Sequence, residues 1–167
     1  MKLGGALQPE TASKYFLYVS FLNMVIAAAA TAPVLVPQLG LPLKLQIWPG
    51  TWMFVAYFSF LITGVVGVLG WSLIYYMLPR LLGIQSVSRL LATVHLALFE
   101  IGVVGATSLM GLIPGYVGGT LIHDGIGQFV VTRVIEWAVI PIGVFITVAI
   151  LSTLAGIFNV FFSSRRG

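Results

Sequence analysis

Apolar residues fall in four long runs, separated by short stretches where proline and glycine collect. The runs 15–36, 51–78, 88–112 and 131–162 each hold the roughly 20 predominantly apolar residues that a helix needs to cross a hydrocarbon core. They predict four transmembrane helices. Pro33, Pro37, Gly40 and Pro42 mark the first break, Pro79 the second, and Pro114 with Gly115, Gly118 and Gly119 the third. The fourth run is longer than a perpendicular crossing requires, so it must tilt or begin as an interfacial turn. Pro141 removes one backbone donor inside it, which predicts a kink between Trp137 and Pro141. No repeat, low-complexity tract or composition shift divides the chain. Residues 1–167 read as a single membrane domain.

Composition sharpens the picture. Only 7% of the 167 residues are charged, 59% are hydrophobic, and the mean hydropathy is +1.09. A soluble domain carries about 25% charged residues, because a core must be covered by solvated surface, so the expected class is an all-α integral membrane protein. Cysteine is absent. That excludes a disulfide framework, a thiolate metal site, an iron-sulfur cluster and a cysteine nucleophile. The net charge of +4 comes from basic residues scattered through an apolar chain, with no patch or stripe that would suit nucleic acid.

Those basic residues predict orientation instead, because Lys and Arg are retained on the cytoplasmic side during insertion. Lys2, Lys14, Arg80, Arg89, Arg165 and Arg166 fall on one side of the four predicted crossings; Lys44 and Arg133 fall on the other. Both termini are therefore expected in the cytoplasm, with the chain multi-pass in the cell membrane. Trp48, Trp52 and Trp137 fit the aromatic belt of the outer interface. The first run has basic residues ahead of it and reaches the small residues Ala27–Ala32. Pro33 stands where a signal peptidase would cut, so the run is expected to remain as a helix.

Ionisable groups within the predicted crossings are few, and each costs at least about 2.5 kcal/mol to bury in hydrocarbon, so each is a functional candidate. Glu100 lies 11 residues beyond Arg89, about 16 Å along a helix and near the bilayer middle. It is either a proton-relay or quinone-contacting acid, or a neutral acid hydrogen-bonded across a helix interface to a group such as Asn23 or Thr63. His95, about 9 Å in from Arg89, is either an axial haem or quinone ligand or a neutral imidazole bonded to a neighbouring helix. The other histidine, His123, falls beside Asp124 in the predicted outer loop, so the two imidazoles cannot form a bis-histidine pair within one chain. His95 and Glu100 are five residues apart, about 140° around a helix, and share no face. His123 with Asp124 offers two donors where zinc or copper wants three or four, so a solvated turn is expected and no metal site is assigned. Arg133 and Glu136 are expected to pair with each other. No phosphate-binding loop, nucleophile elbow or zinc-protease run occurs, and no catalytic residue is assigned.

Small residues form stripes. Gly64, Gly67 and Gly70 recur on the second predicted helix; Gly102, Gly105 and Ala106 cluster on the third. In lipid, close backbone approach at small residues holds helices together, so these are expected packing faces of a four-helix bundle.

The stretch Gly64-Val65-Val66-Gly67-Val68-Leu69-Gly70-Trp71-Ser72-Leu73-Ile74-Tyr75-Tyr76-Met77-Leu78-Pro79-Arg80-Leu81-Leu82-Gly83 resembles the tenth transmembrane helix of haem-copper oxidase subunit I and the cytoplasmic turn after it. Gly156-Ile157-Phe158-Asn159-Val160-Phe161-Phe162-Ser163-Ser164-Arg165-Arg166-Gly167 resembles the end of that family's twelfth helix. Phe99, Gly102 and Gly111-Leu112-Ile113-Pro114-Gly115 are similar to its eleventh helix and exit loop. The resemblance implies that the four helices correspond to the family's last four, with the first entering from the cytoplasm. It departs from the family at the haem ligands: where a His-Phe-His triplet is expected, aligned through Gly64, this chain has Ala56, Tyr57 and Phe58. None is an imidazole ligand. The copper ligands of the family belong to earlier helices. The resemblance thus implies a truncated, ligand-free relative.

The expected function is a non-catalytic accessory subunit of a multisubunit membrane oxidoreductase in the respiratory chain, foremost a haem-copper terminal oxidase. The alternatives are a small haem- or quinone-binding electron-transfer subunit using His95, and an accessory subunit of a membrane copper monooxygenase. The expected partners are other membrane subunits, lipid and quinone, and any haem or quinone is expected at an interface with a partner.

Overall fold

The structure, a computed structural model, describes residues 5–36 and 46–164. The turn residues Pro37, Gly40 and Pro42, and the basic residues Lys2, Lys44, Arg165 and Arg166, lie outside the described residues. Among the described residues, four helices are long and apolar enough to cross a membrane.

Helix α1, Pro9–Leu35, starts six residues before the apolar run does. Pro9 has no amide to leave unpaired in the first turn, and Glu10 faces the positive end of the helix dipole; neither signal registers in hydropathy. One face of α1 is buried at helical spacing: Ala12, Phe16, Ser20, Asn23 and Ala27. It packs on α2, Trp52–Leu82. Within α2 the turns widen to a π-helix over Phe60–Gly67 before returning to α geometry. Pro79 does not end this helix. The end is set four residues later by Gly83, whose left-handed conformation (φ 66°) lets its N–H reach the Leu78 carbonyl.

Helix α3, Arg89–His123, is capped by the Ser88 hydroxyl, which accepts from the Leu91 N–H, and it runs straight through the expected break at Pro114. The passage is a second π-helix, Gly111–Gly118. The wider coil absorbs the missing Pro114 donor, as π-bulges do. The glycines there serve packing rather than turning: a Cβ on Gly115 would lie 2.8 Å from the Met53 backbone nitrogen, and one on Gly118 would strike the Pro49 ring. His123 is consequently the last residue of a helix, with the turn placed after it at Gly125 (φ 84°).

Helix α4, Gln128–Ser163, is interrupted by a 3-10 turn at Glu136–Ala138, which overlaps the start of the Trp137–Pro141 stretch where a kink was expected. Pro141 sits in the first turn of the segment that follows, where its missing N–H costs nothing. Helices α3 and α4 form the most extensive contact of the bundle. At the end shared by the start of α1 and the end of α4, Ala6–Leu7 (β1) and Val87–Ser88 (β2) form a two-stranded antiparallel ribbon, with Ala6 opposite Ser88 and Leu7 opposite Val87.

Candidate functional site

The polar side chains inside the bundle fall in three levels along α3, at His95, at Glu100 and at Thr107.

Nearest the ribbon, His95, Tyr75 and Asn159 come together from α3, α2 and α4, all essentially inaccessible. Asn159 treats β2 as a strand edge. Its Oδ1 accepts from the Ser88 N–H at 2.9 Å and its Nδ2 donates to the Ser88 carbonyl at 3.2 Å, opposite the edge paired with β1. The same Nδ2 lies 3.4 Å from the Tyr75 hydroxyl, which is 3.5 Å from His95 Nδ1. With its oxygen accepting from Asn159, Tyr75 directs its proton to Nδ1, and the neutral imidazole then carries its own proton on Nε2. Nε2 has no hydrogen-bond partner among the described residues. The imidazole is packed among rings: Trp71 is T-shaped to it with centroids 4.3 Å apart, Phe99 T-shaped at 6.1 Å, and Phe16 tilted at 5.0 Å. On the remaining side the imidazole lies against Gly156, where any Cβ would overlap it. A haem iron needs an open axial approach to an imidazole nitrogen. Three aromatic rings and the α4 backbone close that approach, so the residues around His95 do not fit a haem.

At the second level Asn23 meets Glu100. Its Nδ2 donates to the Gly64 carbonyl at 2.7 Å and lies 3.1 Å from each carboxyl oxygen of Glu100. Asn23 is 2% exposed and Glu100 half-buried. The carbonyls of the α2 π-segment are the reason for polar residues on α1: Ser20 bonds the Val65 carbonyl at 3.0 Å, one residue from the Asn23 contact. A widened helix displaces carbonyls from its own ladder, and in lipid they must find other donors. Of the two partners expected for Glu100, the structure places Asn23 there; the Thr63 hydroxyl instead bonds the Ser59 carbonyl of its own helix.

At the third level a cavity of about 440 Å³ opens between α1, α2 and α3. Ala56, Tyr57 and Phe58 all line it. Tyr57 Oη lies 2.7 Å from Thr31 Oγ1, which also bonds the Ala27 carbonyl at 2.9 Å. A second cavity of about 380 Å³ lies among α2, α3 and α4. Neither cavity is lined by His95 or Glu100.

The packing glycines divide. A Cβ on Gly102 would lie 2.6 Å from the Ala149 nitrogen and 2.7 Å from the Phe145 carbonyl, and one on Gly105 would enter the Phe145 ring. Gly64 abuts the Phe60 ring and Val103. Gly67 has only ordinary contacts, the nearest at 3.5 Å, and Gly70 has nothing within 4 Å among the described residues. The expected stripe on α2 therefore reduces to Gly64, since the π-segment shifts the later glycines out of a common face. His123 and Asp124 are exposed, and no group of three metal-ligating side chains occurs among the described residues. Arg133 and Glu136 pair at 3.4 Å, both exposed.

Asn159, Tyr75 and Gly156 were not singled out by sequence. Asn159 was visible as a lone amide in an apolar run; its partner was not.

An all-α bundle with four helices of membrane-crossing length and composition is a multi-pass membrane protein. No family model, no curated protein and no solved structure matches the chain.

Proposed function

We propose that the chain is a non-catalytic accessory subunit of a multisubunit membrane oxidoreductase, a respiratory terminal oxidase of the haem-copper type, with both termini on the cytoplasmic side. The observation that supports this reading is where the polar groups are spent. Ser13, Ser20, Asn23, Tyr75 and Asn159 all bond between helices of this chain, so its polarity holds the bundle together. The outer surface is left apolar, as on α4, where Ile140, Val144, Ile150, Leu154 and Ile157 are exposed. Such a face suits lipid or the helices of a larger assembly. The oxidase identity of that assembly comes from the resemblance of residues 64–83 and 156–167 to the family's subunit I.

Purification from gently solubilised membranes tests the proposal. A redox core should co-purify; a lone monomer overturns it, and copper monooxygenase chains in its place select the alternative assembly. A reporter fused to the C-terminus should react with a cytoplasmic label, and protection from that label reverses the orientation. Glu100→Gln preserves shape and leaves an amide opposite Asn23. Assembly and turnover of the host are both expected to stay within about twofold of wild type. A severalfold loss of quinol or cytochrome oxidation in a fully assembled Gln variant makes Glu100 a proton-carrying or quinone-contacting acid instead.

A further inference from the structure

Glu100 carries an acid into the bilayer whose proton finds no acceptor on this chain. The residue lies about 16 Å along α3 from Arg89, near the middle of the membrane. Asn23 donates one amide proton to the Gly64 carbonyl at 2.7 Å and shares the other between the two carboxyl oxygens, each 3.1 Å away. The Gly64 contact fixes that orientation of the amide, since the reversed one would set two oxygens against each other. Among the described residues Glu100 therefore receives a hydrogen bond and gives none. Nor does a basic side chain neutralise it: the one ion pair among the described residues joins Arg133 to Glu136, near the start of α4. A neutral acid is left with an unplaced O–H and an ionised one without a countercharge, and in lipid both are costly.

The cavity between α1, α2 and α3 begins one turn away. Ile26, Phe60 and Val104, which line it, are three or four residues from Asn23, Gly64 and Glu100 on the same helices. What the cavity offers suits positive charge. Phe54, Tyr57, Phe58 and Phe60 supply aromatic rings, whose faces are electronegative. Thr31 and Thr107 spend their protons on the Ala27 and Val103 carbonyls, which leaves their oxygens as acceptors. Ser108, whose hydroxyl has no partner among the described residues, is free to turn its oxygen the same way. No Lys, Arg or His stands among the described lining residues. A volume of about 440 Å³ lies within the roughly 300–1,000 Å³ of small-molecule sites.

We propose that this cavity binds lipid-soluble organic cations, such as an aryl phosphonium or quaternary ammonium, with their rings among the α2 aromatics and their charge drawn to the Glu100 carboxylate one turn away. The bound cation takes the place of the acid's proton, which leaves to water, and supplies the countercharge that the chain lacks. A neutral lipid chain fills the apolar lining and leaves Glu100 as it was; an anion is repelled by the same carboxylate. This goes beyond the accessory role proposed above. The site lies wholly within this chain, so binding is tested without a host complex and each proposal can fail alone.

The full chain in non-ionic detergent micelles is equilibrated by dialysis with tetraphenylphosphonium or with tetraphenylborate, an anion of the same shape, and the ligand held above a protein-free micelle blank is measured. Wild type should bind the phosphonium at least about tenfold more tightly than the borate, the effect expected of one partly desolvated charge pair. Glu100→Gln keeps the shape and removes the charge, and should bring the phosphonium down to the level of the borate. Phe54→Leu combined with Phe58→Leu keeps the lining apolar and removes two rings, and should weaken the phosphonium about three- to tenfold. Gly70→Leu, outside the cavity lining and with no described residue within 4 Å of its Cβ position, should behave as wild type. Equal binding of the two ions by wild type overturns the proposal, as does a phosphonium preference that survives in Glu100→Gln.

Discussion

Gly102→Leu is expected to yield a chain that reaches the membrane but does not form its bundle. The Cβ position of Gly102 lies 2.6–2.8 Å from the Ala149 nitrogen, the Phe145 carbonyl and the Ala149 Cβ, so two of the three obstacles are backbone of α4 and cannot turn aside. In lipid no hydrophobic drive compensates for separating α3 from α4; the association consists of close packing itself. Even Gly102→Ala should cost about 1–3 kcal/mol, the range for overpacking a close-fitted interface, and lower the thermal midpoint in detergent by several degrees. Gly70→Leu should leave that midpoint unchanged, since no described residue lies within 4 Å of its Cβ position. Equal midpoints for Gly102→Ala and wild type would show that the α3–α4 approach is not the dominant contact. In the proposed oxidoreductase complex, loss of turnover with normal amounts of a Gly102 variant present would show that the residue acts on chemistry rather than assembly.

The second large effect is expected at Asn159. Its amide satisfies both backbone groups on the outer edge of Ser88 and lies against the Tyr75 hydroxyl, while being 1% exposed. Asn159→Leu keeps the branching at Cγ and removes every one of those partners. Each group left unpaired costs about 1–3 kcal/mol, so a total loss of about 2–4 kcal/mol is expected where part of Ser88 can still reach water. The damage should be directional. With one edge of β2 released, the ribbon to Ala6–Leu7 loosens, and hydrogen exchange at the Ser88 amide should accelerate by at least about tenfold. An Asn159→Leu chain with unchanged exchange at Ser88 would mean that the ribbon is held by β1 alone. Asn159→Asp keeps the acceptor and loses the donor, and should fall between the two.

Much of the architecture was legible in the order of residues, and the misses share one cause. Four apolar runs gave four helices, and the interruption near Pro141 was visible because proline removes a donor regardless of context. The same rule failed at Pro79 and Pro114. At Pro79 the helix had only one further turn to make, and Gly83 provides the stop. At Pro114 the chain widened into a π-helix, an option that opens only when neighbours such as Met53 and Pro49 press against the glycines beside it. Glycine reads as a turn signal in isolation and as a packing surface in a bundle. Similarly, Glu100 stood out as an acid in hydrocarbon, and Asn23 could be named as a partner by its place in an apolar run. What could not be read was that Asn23 also serves the Gly64 carbonyl, because the need for a donor there arises from the π-segment and not from the residue.

The sequence by itself determined the solvent of this protein, the number of its crossings and the few polar groups that each crossing must accommodate, since burial in lipid is costly at every position independently. Tertiary structure decided which polar groups meet. The closure of aromatic rings around His95, the amide of Asn159 laid along a strand edge and the pairing of Tyr57 with Thr31 all depend on how three or four helices converge. Helix contacts in lipid are fixed by shape complementarity over angstrom distances, and apolar residue types that are interchangeable in hydropathy differ in shape.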